Sequence, residues 1–205
     1  VRRICDEGHK LNVRVFIDAE ETWIQPAIDE MATNMMERYN TQSCIIYNTI
    51  QLYRHDRVDF LKEAWKKATE QGYLLGLKLV RGAYMEKERD RAKEMGYPSP
   101  INPDKPSSDR EYNEALRFCI EHIDRISICA GTHNEDSSRL LTEWMAEKGI
   151  SPNDERIYFS EAFQEIKNLE AISYIPEKSG YTRTPVTDIK TERPSPGGGI
   201  FFDDM

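Results

Sequence analysis

The residues best suited to chemistry stand where short apolar runs give way to polar sequence. Asp18 follows the first run, Asn48 and Gln51 lie in the second, and Lys78 interrupts the third. A lysine in an apolar strand is costly unless a partner or a ligand compensates its charge. Because carboxylate, amide and ammonium groups recur at successive strand ends, we predict that they share one polar site.

The third run continues into a segment that could hold an anionic ligand. Alternation along a strand puts Lys78 and Arg81 on opposite faces, so Lys78 is predicted to face a lumen while Arg81 turns over its rim. The glycine of the Gly82-Ala83 turn allows the backbone to approach a ligand closely. Two cations beside such a turn suit a flat, anionic cofactor.

The fourth run ends in Thr132-His133, ahead of a predicted helix whose free N–H groups could bind a phosphate. A second interpretation stays open, because Asp18-x-x-Glu21 and Thr132-x-x-Glu135 also fit helix capping. A lone His133 without ligand spacing does not predict a metal site. The four cysteines form no CxxC pair, which favours buried thiols in a reducing compartment.

These side chains are positioned by alternating strands and helices. Near-continuous apolar strands are typical of parallel sheets, which occur either as open doubly wound sheets or as closed barrels. No GxGxxG follows the first strand, which favours the barrel. We therefore predict an α/β protein with an incomplete (β/α)8 TIM-type barrel of about five visible parallel strands. The predicted strands are 13–19, 44–50, 74–80, 125–132 and 156–161, and the predicted helices are 25–39, 57–71, 109–124 and 135–148.

Two segments depart from this alternation. Residues 86–108 are predicted to form a long proline-rich loop, which could lie over the site or be a solvated surface loop. Beyond residue 164 the pattern fails, so residues 1–164 are predicted to form the barrel-like domain and residues 165–205 a divergent, disordered tail. The first ten residues resemble the end of a helix, as if the chain began within a domain.

Composition excludes some functions. A net charge of -8 over 205 residues argues against a broad nucleic-acid surface. No apolar run approaches the roughly 20 residues that a membrane-spanning helix needs.

Four sequence segments, FIDAEET, LKLVRGAYMEKER, GYPSPINP and THNEDS, resemble the proline dehydrogenase family. The resemblance runs from about residue 1 to about residue 161. It implies a distorted β/α barrel that binds FAD, oxidises L-proline to 1-pyrroline-5-carboxylate and passes electrons to a quinone, with peripheral membrane association. It further implies the matrix side of the mitochondrial inner membrane in a eukaryote, or the cytoplasm or the periphery of the inner membrane in a bacterium.

The same resemblance assigns roles to single residues. Asp18 would be the carboxylate that holds the polar network, Lys78 would lie near the redox-active edge of the flavin, and Tyr84 would line the proline pocket. Asp18, Asn48, Lys78 and His133 would converge on one ring-shaped ligand. The residues expected to bind the cofactor are Ala19, Asn48, Arg81, Gly82, Ala83, Thr132 and His133.

The chain also departs from the family pattern. The lysine of the family's first strand and the RRxxE helix that clamp the proline carboxylate have no counterpart here, so we expect a chain that is incomplete at both ends. Glu161 stands where the family has an amide. Two alternatives to catalysis of proline oxidation stay open: a non-catalytic fragment that associates through open sheet edges, and a barrel enzyme for phosphorylated substrates.

Overall fold

The computed structural model describes residues 1–160, and the predicted tail at 165–205 and the predicted boundary at 164 lie outside them. Strands and helices alternate along most of the described chain, as the apolar pattern predicts. The elements are α1 (Arg2–Leu11), β1 (Val15–Ile17), α2 (Gln25–Tyr39), β2 (Ile46–Gln51), α3 (Arg57–Gln71), β3 (Leu75–Val80), α4 (Met85–Met95), α5 (Lys105–Glu121), β4 (Ile126–Gly131), α6 (Glu135–Glu147) and β5 (Ile157–Ser160).

The strands form one sheet in the order β1-β2-β3-β4-β5, and every pair is parallel. In a doubly wound sheet the strand order reverses at a switch point, whereas in a barrel each new strand adds to the last. The sequential order confirms the predicted barrel-type α/β architecture.

The sheet curls, so that its first and last strands approach each other at their amino ends. Arg14, which precedes β1, donates a hydrogen bond to the Glu155 carbonyl ahead of β5 at 3.1 Å. Its guanidinium lies 4.3 Å from the ring centre of Tyr158 and 3.3 Å from the Tyr47 hydroxyl. The described strands therefore form a half-barrel whose concave face is a lumen.

The two faces of the sheet have different environments. The convex face packs against the helices and carries buried aliphatic residues such as Ile46, Leu77 and Ile128. The lumen face carries aromatic and polar residues in register, including Thr49 of β2 opposite Lys78 of β3, with Cys129 of β4 on its other side. The apolar core therefore lies between sheet and helices, which leaves the lumen for polar chemistry.

The prediction for residues 86–108 is wrong in part, because helix α4 extends through its first ten residues and helix α5 begins at Lys105. Helix α4 has no apolar stripe, since only Glu88 and Ala92 are buried, and the apolar period therefore missed it. Helix α5 begins early because the Asp104 side chain accepts a hydrogen bond from the Ser107 amide at 2.8 Å. Within residues 1–160, no helix is both long and apolar enough to cross a bilayer.

Candidate active site

An ion pair between Asp18 and Lys78 lies at the carboxyl ends of the strands, on the lumen side. The Lys78 ammonium is 2.7 Å from an Asp18 carboxylate oxygen, and the Thr49 hydroxyl donates to the same oxygen at 3.4 Å. The lysine side chain is 27% exposed and that of the aspartate 67%. We call these two residues the inner pair. The structure brings them together as predicted and leaves both open to a ligand.

A thiol lies directly beside the inner pair. Cys129 is buried on β4, next to Lys78 in the register. Burial raises the pKa of this thiol above its ordinary value, and the nearby Lys78 charge only partly offsets that effect. A thiol held in its neutral form is a poor nucleophile, so Cys129 serves as packing in the floor of the site.

Tyr84 also reaches the mouth of the lumen. Its hydroxyl donates a hydrogen bond to a carboxylate oxygen of Glu20 at 2.7 Å. That hydrogen bond, together with burial and the Glu20 charge, raises the pKa of Tyr84 to about 12. The hydroxyl therefore stays protonated at neutral pH. Ala19, between Asp18 and Glu20, is half-buried in the same loop.

Arg81 is turned away from the inner pair, as alternation predicts, and is held by several side chains. Its guanidinium donates to Asp109 of α5 at 2.7 Å, to the Thr132 hydroxyl at 2.6 Å and to the Ser137 hydroxyl at 3.0 Å. It also lies 4.4 Å from the ring centre of Tyr112. Arg81 and Thr132 therefore form one rigid node at the rim between β3 and α6.

The turn after β3 needs glycine for a reason within the protein. Gly82 has φ of 141°, and a Cβ there would lie 2.5 Å from the ring of Tyr53. Ala83 and His133 are exposed at the same rim. Helix α6 is capped by Asn134, whose side chain accepts from the Ser137 amide at 3.0 Å, so the Thr132-x-x-Glu135 capping box does not form. Helix α2 follows Ile24 without a side-chain cap, which removes the capping role for Asp18.

The structure corrects the prediction that Asn48 converges with the inner pair. Asn48 is 1% exposed and projects from the convex face, where its amide donates to Asp29 of α2 at 2.9 Å. Asp29 also accepts from Arg57 of α3 at 2.8 Å and from the Gln25 amide at 3.0 Å. We call these four buried residues the outer network. They link two helices to β2 and lie on the opposite side of the sheet from Lys78.

Gln51 is a residue that the sequence pattern included in the polar site without assigning it an individual role. It shares the parity of Thr49, so its side chain lies on the lumen face. It is 3% exposed, and its amide oxygen accepts no hydrogen bond from the part of the chain that the structure describes. A buried acceptor without a donor is costly. Alternation groups Gln51 with Thr49 and separates it from Asn48, but which of the two sets faces the lumen depends on the register of β2 against β3.

The described residues also limit the other chemistries. Among residues 1–160 no three His, Cys, Asp or Glu side chains cluster as a metal site would require. The lumen mouth instead combines a partly exposed lysine, carboxylates, a protonated phenol and an amide oxygen without a partner within residues 1–160. Such a set suits a planar ligand with hydrogen-bond donors and electron-rich edges.

Comparison with known proteins supports one family. The sequence model of the family described as proline dehydrogenase matches residues 1–165. The chain is 39% identical over 161 residues to the mitochondrial proline dehydrogenase 1 of Drosophila melanogaster, covering 74% of this chain and 24% of that protein. It is 35% identical over 181 residues to the human mitochondrial proline dehydrogenase 1, covering 87% of this chain and 30% of that protein. The chain thus spans less than a third of the length of these curated relatives.

A solved structure agrees on the fold. The crystal structure of proline utilization A from Bdellovibrio bacteriovorus, inactivated by N-propargylglycine, superposes with a TM-score of 0.73 at 22% sequence identity. The superposition covers 79% of this chain and 17% of that one. It supports the half-barrel arrangement of parallel strands and helices described above.

Proposed function

Because the chain belongs to the proline dehydrogenase family, we propose that it contributes to an enzyme that oxidises L-proline to 1-pyrroline-5-carboxylate. In this reaction the ring carbon next to nitrogen loses a hydride, the nitrogen loses a proton, and a C=N bond forms. The observation that carries the proposal is the inner pair, which places a compensated cation inside the lumen at the carboxyl ends of the strands.

The residues present fit FAD as the cofactor. Gln51 shares the lumen face of the sheet with Lys78, and its buried amide oxygen has no partner within residues 1–160, so a ring N–H of a flavin could donate to it. FAD would supply the two-electron acceptor that no protein side chain provides. Gln51 takes the place first predicted for Asn48, whose amide oxygen also lacks a partner within residues 1–160 but which lies on the helix side of the sheet. The remaining predicted contacts are Ala19, Arg81, Gly82, Ala83, Thr132 and His133.

Each side chain at the mouth has a defined task in this proposal. Lys78 contributes a positive charge that favours an electron-rich ligand, and Asp18 orients its ammonium. Tyr84 keeps its proton, so it lines the proline pocket as a neutral donor whose direction is fixed by Glu20. Arg81 holds Thr132 in place at the rim. Positioning and electrostatics are thus the contribution of the protein.

The names of the relatives support a proposal for the location and the partners. Relatives from fly, human and cattle are named mitochondrial. We extend that location to this chain if its source is eukaryotic, with a quinone as the electron acceptor and peripheral association with the inner membrane. The cytoplasm, or the periphery of the inner membrane, is the alternative for a bacterial source.

A flavin experiment tests the proposal. The purified protein is incubated with FAD, desalted and scanned for bound flavin, and L-proline is then added without oxygen. We expect bound flavin and loss of its visible absorbance with proline, and a strong reduction of that loss in Lys78→Met. The surface variant Lys67→Leu serves as a control, since Lys67 forms a partly exposed ion pair with Glu37 on the helix layer. A folded protein that binds no flavin would contradict the proposal, and self-association through β1 or β5 would favour the non-catalytic alternative.

A further inference from the structure

The loop between β1 and α2 carries three residues of the mouth, Asp18, Ala19 and Glu20, yet it has no regular structure. Such a loop needs anchors if its side chains are to keep one geometry. One anchor is the Gln25 side chain of the outer network, which accepts from the Glu20 amide at 2.8 Å. The other anchors come from helix α4.

The strongest of the α4 anchors is a buried carboxylate that the proposed reaction does not use. Glu88 is 0% exposed. One of its oxygens accepts from the Thr22 amide at 2.6 Å, and the other accepts from the Thr22 hydroxyl at 2.7 Å. Glu88 lies in the first turn of α4, where the helix dipole favours negative charge. A buried carboxylate with two donors is strongly held.

The neighbouring contacts are weaker because they lie closer to water. Lys87 pairs with Glu21, but the lysine side chain is 58% exposed. Arg91 lies 4.2 Å from the ring centre of Trp23, which is itself exposed. Exposed ion pairs contribute little to holding a segment. Glu88 is therefore the anchor that decides where the loop lies.

The position of Glu88 on α4 links the loop to the substrate side of the mouth. Glu88 lies one helical turn after Tyr84, and its amide donates to the Tyr84 carbonyl at 2.9 Å. Tyr84 in turn donates to Glu20 on the loop. The same first turn of α4 thus bonds to the loop at both Glu20 and Thr22.

We infer that Glu88 is a positioning residue: through Thr22 it fixes the β1–α2 loop so that Asp18 and Glu20 meet Lys78 and Tyr84 in one geometry. The inference rests on the proposed function of the mouth. Helix α4 overlaps the segment first predicted to be a loop, and in this inference it sets the shape of the active site.

The first test measures the loop itself, without turnover. Hydrogen exchange of the Thr22 amide is followed by NMR in the purified protein, in Glu88→Ala and in Glu88→Gln. We expect exchange on the order of 10-fold faster in Glu88→Ala, because the amide loses its acceptor. Glu88→Gln keeps an acceptor oxygen and should stay close to the unmodified protein. Glu86→Ala is the matched control, since Glu86 is an exposed acid in the same helical turn.

The second test measures the consequence for the reaction. We expect kcat for proline to fall roughly 10- to 100-fold in Glu88→Ala, since small displacements of site groups have effects of this size. Glu88→Gln should recover most of that loss, and Thr22→Val, which removes one of the two bonds, should fall between them. Unchanged exchange and unchanged kcat in Glu88→Ala would overturn the inference. An unmodified protein that binds no flavin would instead overturn the proposed function, and the exchange measurement would still report on the anchor.

Discussion

The inner pair and the outer network are both built from oppositely charged groups at the same level of the sheet, yet they lie on opposite faces and differ in exposure. Asp18 and Lys78 face the lumen and remain partly open to water. Asp29 and Arg57 lie on the helix side with side chains only 9% and 6% exposed. Water and ligands can reach the first pair readily, whereas the side chains of the second are almost fully buried beside a cleft lined by Gln25, Asp29 and Arg57.

The difference shows that polar residues on the two faces of a parallel strand can have different roles. Those on the helix side stabilise the fold, and those on the lumen side can bind a ligand. A charge pair buried on the helix side needs further polar partners, and in the outer network Gln25 and Asn48 donate hydrogen bonds to Asp29. A charge pair on the lumen side can keep hydrogen-bond donors and acceptors available for a ligand. The face of the sheet on which a charge pair lies, rather than its distance from a strand end, distinguishes the inner pair from the outer network.

The largest expected effect on the free energy of unfolding comes from a substitution that breaks the outer network. Arg57→Leu removes the cation that compensates the buried Asp29 carboxylate, and we expect a loss of about 3–5 kcal/mol in the free energy of unfolding. Urea denaturation followed by circular dichroism measures it. Lys67→Leu on the same helix is the control and should cost less than about 1 kcal/mol. Equal effects in the two variants would contradict the distinction drawn between buried and exposed pairs.

Smaller effects are expected from substitutions of the two amide side chains of β2, Asn48 and Gln51. Asn48→Leu removes a donor to Asp29, so we expect a loss of about 1–3 kcal/mol in the free energy of unfolding with flavin binding otherwise retained. Gln51→Leu removes an oxygen that accepts no hydrogen bond within residues 1–160, so we expect a smaller loss of stability and weaker flavin binding. Denaturation measures the stability of both variants, and flavin titration measures their affinity for flavin. The reverse pattern would return the ligand contact to Asn48.

The inner pair should contribute still less to stability. Lys78→Met breaks a partly exposed ion pair, for which we expect a change below about 1 kcal/mol in the free energy of unfolding. The same variant should strongly slow the reduction of flavin by proline. A large loss of stability would show that Lys78 is a structural residue like Arg57.

The smallest effect is a titration. The pKa of Tyr84 is raised to about 12, above the ordinary value of about 10, so folding favours its protonated form. The stabilisation is complete below pH of about 10 and is lost as pH rises through about 12. Ultraviolet absorbance of tyrosinate, compared between the protein and Tyr84→Phe, measures this step. A Tyr84 step at the ordinary tyrosine pKa would show that the hydrogen bond to Glu20 does not persist in solution.

Much of the fold was predictable because the helices and the convex face of the sheet, which pack against each other, carry a strong apolar pattern. The bounds of α2 and α3 agree with the predicted 25–39 and 57–71. Helix α4 was not predictable in that way, since it is held by contacts from charged side chains such as Glu88 to a loop distant in sequence.

The site was predictable in part for a related reason. The inner pair follows from the rule that parallel strands deliver their ends to one mouth, and both members lie there. Asn48 was misplaced because a polar residue near a strand end has two possible faces, and only register against β3 decides between them. The partner of Tyr84, Glu20, lies 64 residues away, and no local pattern encodes such a contact.

The contact of Arg14 with the Glu155 carbonyl has a consequence for the order in which the chain folds. Its two residues are separated by 141 positions, and every strand from β1 to β4 lies between them. Closing so long a loop is entropically costly until the intervening pairs of strands have formed. The guanidinium can therefore join the two ends of the curled sheet only late in folding, and its engagement marks the arrival at the native curvature.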